Sequence, residues 1–125
     1  MSITVLVVDD EEDIRDALVA ELEGAGYDTV MLENGENIVH TVLETRPDVI
    51  VLDLMMPKVN GYEAISLLKD EPRTHRIPVI VASAATRNGI LAAVRELGAI
   101  DFLPKPWGEG ELIWRIEQAT GSVAA

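Results

Sequence analysis

Cysteine is absent from the 125 residues, which excludes disulfides and thiolate-bound metal and accords with an expected cytoplasmic location. No apolar run approaches the roughly 20 residues that a membrane span requires, and the N-terminus lacks the basic start and long apolar region of a secretory signal. No membrane association is expected. Bases are few: 10 lysines and arginines stand against 22 acids, for a net charge of −12. Such a surface repels nucleic acid phosphates, so direct nucleic acid binding is not expected either. No GxGxxG or Walker pattern follows any strand-like run, which leaves dinucleotide and P-loop readings without a phosphate cradle. Internal repeats, low-complexity tracts and linkers are missing too. What remains, 48% apolar and 26% charged residues, is the composition of one globular domain able to bury roughly two thirds of its unfolded-chain surface.

Short apolar runs recur along the chain: ITVLVV at 3–8, TVML at 29–32, DVIVLD at 48–53, IPVIVAS at 77–83 and AIDFL at 99–103. Three are nearly continuous in β-branched residues and leucine, as parallel strands covered on both faces should be. Between them the period changes to that of a helix. Ile14, Leu18, Leu22 and Ala25 share one face; Ile38, Val39, Val42 and Leu43 another; then Ile65 with Leu68, Ile90 and Leu91 with Val94 and Leu97, and Leu112, Ile113, Ile116 and Ala119. Gly24, Gly26, Pro47, Pro72, Pro78 and Gly98 stand where the alternation needs stops. Strands alternating with crossover helices predict an α/β, doubly wound parallel sheet of five strands with helices on both faces.

Ligands of such sheets gather beyond the carboxyl ends of the strands. There the sequence places Asp9 and Asp10 after the first strand, Asp53 at the end of the third, Ser83 at the end of the fourth and Lys105 after the fifth. Each has a plainer use taken alone: Asp9 or Asp10 as a helix N-cap, Asp53 as a turn residue, Ser83 bonded to local backbone, Lys105 as a surface lysine. Their joint position argues for more. Adjacent carboxylates raise one another's cost of ionisation, so a positive group is expected beside them. Carboxylates without thiol or imidazole suit Mg²⁺, with Mn²⁺ plausible, and a carboxylate beside such an ion can accept a phosphoryl group whose oxygens a lysine and a hydroxyl then contact.

The stretches VVDDEED and VLDLMMPKVNG, a serine 30 residues beyond Asp53 and FLPKPW with its lysine 52 beyond resemble the receiver domain of two-component response regulators, over nearly the whole chain. The resemblance implies a flavodoxin-like strand order of 2-1-3-4-5, with a receiver domain at 1–121 and a tail or linker start at 122–125. It implies that Asp53 is the phosphoacceptor, supplied by a histidine kinase or phosphotransfer protein. Asp10, Asp53 and the main-chain carbonyl of Met55 would bind the metal, and Asp9 would act mainly through water. Ser83 and Lys105 would contact the phosphoryl group, with Ser83 and Phe102 changing position as the switch. A downstream protein or output domain would read the face made by the fourth helix, fifth strand and fifth helix. The family implies no multiple-turnover enzyme, only slow self-dephosphorylation, tuned by side chains at Met55 and Ala85, and a cis Lys105–Pro106 bond. Trp107 stands where the family usually has Phe.

Two other readings compete. Phosphatases that work through an aspartyl phosphate usually carry nucleophile and acid two residues apart on the first strand, whereas Asp9 and Asp10 are adjacent. A flavin-binding module would have to seat its phosphate against an acidic mouth. His40 and His75 fall away from the acids and are expected to be solvated. Trp114 points away from the apolar face of the last helix, so it is expected either to cover a neighbouring side chain or to stand half-exposed at a partner surface.

Overall fold

The computed structural model describes residues 2–84 and 89–121. Ala85 and the tail at 122–125 lie outside the described residues. Strands β1 (Thr4–Val8), β2 (Asp28–Leu32), β3 (Val49–Leu52), β4 (Val79–Ser83) and β5 (Asp101–Pro104) alternate with helices α1 (Glu12–Gly24), α2 (Ile38–Thr45), α3 (Gly61–Asp70), α4 (Ile90–Leu97) and α5 (Glu111–Thr120). All pairings are parallel, and the order across the sheet is β2-β1-β3-β4-β5. The expected class and strand order are those observed.

Alternation along the central strands splits the core in two. Leu6 and Val8 of β1 pack on one side with Ile38 and Val42 of α2, Ile65 and Leu68 of α3, and Val94 of α4. Val5 and Val7 face the other way, against Leu18 and Leu22 of α1 and Leu112 and Ile116 of α5. A strand buried on both faces has no polar positions to spare, which is why β1, β3 and β4 read as unbroken apolar runs. The helices use narrower stripes than their sequences suggest. In the eight-residue α4, Ile90 and Val94 are buried, whereas Leu91, about 100° further around the helix, is 40% exposed.

Helix ends follow local chemistry. Gly98 ends α4 at φ 117°, a left-handed conformation that glycine enters without Cβ strain. Asn60 caps α3, its side chain accepting from the Glu63 N–H at 3.0 Å. Glu11 occupies the N-cap of α1 without a side-chain cap bond, so neither Asp9 nor Asp10 serves that purpose. The Lys105–Pro106 peptide is cis. No helix among the described residues is long and apolar enough to cross a membrane.

Candidate phosphoryl-transfer site

Four of the five strands deliver a polar residue to one edge of the sheet. Asp9 prolongs β1: its N–H donates to the Leu32 carbonyl at 3.1 Å. Asp53 prolongs β3 in the same manner, donating to the Val8 carbonyl at 3.0 Å. Ser83 is the last residue of β4 and fully buried, and its carbonyl accepts the Lys105 N–H at 2.9 Å. Ladder bonds that run one residue past the strands therefore hold Asp9, Asp53 and Lys105 at the same edge of the sheet, with Ser83 between the last two.

Asp9, Asp10 and Asp53 bring carboxylate oxygens within 4.8 Å of one another. Asp9 and Asp53 are buried, Asp10 exposed. The positive group that their charge calls for is Lys105, whose Nζ lies 2.6 Å from Asp9 Oδ2 and 3.6 Å from Asp53 Oδ2, with its side chain mostly buried. One ammonium thus offsets two buried carboxylates that would otherwise be costly to ionise together. Asp9 Oδ1 accepts from the Glu11 N–H at 3.0 Å, and Asp53 Oδ1 accepts a longer bond from the Met55 N–H at 3.3 Å. The turn-forming use considered for Asp53 is therefore real, and it engages Oδ1 while Oδ2 faces Lys105.

That cleft has a volume of about 370 Å³ and is lined by Asp10, Glu11, Ile14, Asp53, Met55 and Ser83, among others. Met55, 67% exposed, stands at its rim. Trp107 is half-buried and lines an adjoining apolar cleft with Ile14, Ala17 and Glu21. Phe102 is partly buried against the α2, α3 and α4 side of the core. His40 pairs with Glu44 at 3.1 Å on the surface of α2, and exposed His75 bonds the Pro72 carbonyl at 2.9 Å. Neither histidine reaches the site.

Two contributors escape a reading of the sequence. Gly61 opens α3 so close to the end of β3 that an added Cβ would lie 2.6 Å from the Asp53 carbonyl oxygen and 2.5 Å from Leu54 Cα. Only glycine lets that helix start against the Asp53 backbone. Arg15 donates from Nη1 to the Asp9 carbonyl at 2.9 Å. Its place one helical turn beyond Glu11 is the only signal the sequence carries of this contact.

An acid cluster with one lysine stands at the carboxyl edge of a 2-1-3-4-5 sheet, the arrangement expected of a receiver. The response regulator receiver domain family matches the chain over residues 5–117, and the chain belongs to that family. It is 35% identical over 114 residues to the phosphate regulon transcriptional regulatory protein PhoB of Pseudomonas aeruginosa, covering 91% of this chain and 50% of that protein. The chain thus spans about half the length of the curated relatives it matches. Among solved structures, the signal receiver domain of a signal transduction histidine kinase from Syntrophus aciditrophicus superposes with a TM-score of 0.87 at 31% identity, covering 96% of this chain and 91% of that one. The receiver domain of the sensor histidine kinase PA1611 from Pseudomonas aeruginosa, with a magnesium ion coordinated in its active site cleft, gives 0.88 at 25% identity over 98% of this chain and all 100% of that one. This is a receiver domain of a two-component system. Receiver domains bind Mg²⁺ in an acidic site, and the donor set here, three carboxylates without sulfur or imidazole, fits a hard oxygen-seeking cation.

Proposed function

We propose that Asp53 accepts a phosphoryl group from the phosphohistidine of a kinase or phosphotransfer protein, and that the modified chain is read by a downstream protein or output domain. The observation that carries this reading is the placement of the Asp53 carboxylate beside two further aspartates and 3.6 Å from the Lys105 ammonium. A carboxylate oxygen of Asp53 attacks phosphorus in line, the P–N bond to the imidazole breaks, and its electron pair stays on the histidine nitrogen. Lys105 sits where it can neutralise a phosphoryl oxygen. Asp10 is exposed and makes no hydrogen bond or ion pair among the described residues, so its carboxylate is disposed to bind Mg²⁺ directly, together with Asp53 and the Met55 carbonyl. Both oxygens of Asp9 are already engaged, which favours contact through water. When bound, Mg²⁺ would neutralise charge on the phosphoryl oxygens.

Phosphorylation adds charge and three strong acceptors at Asp53. Ser83, at the end of β4, moves toward them, and Phe102 turns on β5, biasing a two-state equilibrium that alters the face of α4, β5 and α5. Trp114, 56% exposed on α5, Leu91 on α4 and Ile100 just before β5 are exposed apolar side chains that these elements carry. The cytoplasm is the location this reading assigns. Mass spectrometry after incubation with an acyl phosphate tests it: one phosphoryl group per chain with Mg²⁺, little without it, and none on Asp53→Asn. Stable label on Asp53→Asn would refute the assignment.

A further inference from the structure

We infer that Arg15 is a positioning residue for the metal-binding acids, acting through the main chain of Asp9; the inference rests on the Mg²⁺ site proposed above. Asp9 is engaged at every polar atom it carries. Its N–H donates to the Leu32 carbonyl at 3.1 Å, Oδ1 accepts from the Glu11 N–H at 3.0 Å, Oδ2 accepts from Lys105 Nζ at 2.6 Å, and its carbonyl accepts from Arg15 Nη1 at 2.9 Å. The contacts come from the end of β2, the β1–α1 turn, the segment after β5 and α1.

The carbonyl contact has a consequence that the others lack. The Asp9–Asp10 peptide unit is planar, so holding its oxygen sets the direction in which Asp10 leaves the chain. Asp10 has no hydrogen bond of its own among the described residues to do this. Arg15 is itself placed by the first turn of α1, its N–H donating to the Glu11 carbonyl at 2.9 Å. Glu11, Glu12, Asp13 and Asp16 surround it in sequence. Yet among the described residues Arg15 makes no ion pair with any acid, and its side chain donates to the Asp9 carbonyl instead.

Charge and position predict opposite effects for its removal. Deleting a cation near the acids should tighten Mg²⁺ binding by electrostatics alone. Releasing the Asp9–Asp10 peptide should weaken it, as loss of groups that orient metal ligands typically costs 10-fold or more in affinity. The test is calorimetric titration of the whole chain with Mg²⁺. Arg15→Ala is expected to bind about 10-fold more weakly than the unmodified chain, with Arg15→Lys recovering part of the loss because it keeps a donor. Labelling of Arg15→Ala by an acyl phosphate should be slow at low Mg²⁺ and approach the unmodified rate at saturation. A purely structural role would lower the unfolding midpoint without moving the affinity of the folded protein. Arg15→Met, which keeps the aliphatic stem, carries the same expectation if Arg15→Ala folds poorly. Unchanged or tighter Mg²⁺ binding in these variants would overturn the inference. Failure of the unmodified chain to bind Mg²⁺ would instead overturn the metal site itself, and the role of Arg15 with it.

Discussion

Tyr27 is 3% exposed, and its hydroxyl has no hydrogen-bond partner among the described residues. Burial, aided by the charge of Glu117, raises its phenol above the ordinary value of 10.0. An unsatisfied buried hydroxyl costs stability, so Tyr27→Phe should leave the protein as stable or more stable by about 1 kcal/mol in urea unfolding. The pH dependence has a definite sign. Between pH 10.0 and the raised folded value, the unfolded chain has lost the phenol proton while the folded chain retains it. Stability therefore falls as pH rises through that window, and Tyr27→Phe should flatten the fall. Single residues differ in how openly the sequence declares them. Asp9, Asp10, Asp53 and Lys105 could be placed at one edge because strand ends are marked by abrupt changes of polarity. Arg15 and Gly61 could not, since a guanidinium choosing a carbonyl and a helix start pressed against a backbone are relations between segments.

The link between β5 and α5 shows the same limit. Arg115 Nη1 lies 2.7 Å from both oxygens of Asp101, and Nη2 reaches Glu111 at 3.3 Å, while Asp101 Oδ1 also accepts the Phe102 N–H at 2.8 Å. The Asp101 bond is the main reason the guanidinium holds its proton more tightly than usual. Both side chains are partly solvated, so screening limits the effect: Arg115→Ala should cost about 1 kcal/mol in a denaturant midpoint. A loss several times larger would mean that the clasp organises more than these two elements. On α3, Lys69 donates to the carbonyls of His75 and Ile77 at 2.9 and 2.8 Å, tying the helix to the loop that follows it. Its stem crosses Gly98, where a Cβ would come within 2.7 Å. Helical periodicity located each helix and most of its buried stripe, but it assigned Leu91 to the core. Helical spacing sets which residues share a face; neighbours decide how wide a face is covered.

For the whole molecule, a charge of −12 means self-repulsion that any bound cation relieves. If the acid cluster holds Mg²⁺, the ion should stabilise the fold by about 2.7 kcal/mol at a free concentration one hundred times its dissociation constant. Calorimetric unfolding with and without Mg²⁺ should show that gain, and Asp10→Asn should abolish most of it. In chelator the same variant should be at least as stable as the unmodified chain, because it removes one of three crowded carboxylates and no hydrogen bond among the described residues. A large loss in chelator would make Asp10 structural.

The alternation of apolar runs with helical periods already determined an α/β sheet of five parallel strands, since burial on both faces writes itself into every residue of a central strand. Polarity at the strand ends likewise determined which side chains to suspect, and the family's motifs supplied the strand order. Only tertiary structure decided how those side chains share charge. Lys105 lies nearer to Asp9 than to Asp53, and Asp9, held on all sides, is a different group from Asp10, its solvent-facing neighbour. Adjacent residues of one type are equal in sequence. They become unequal when separate strands, a helix and a loop arrive at one of them and leave the other to water.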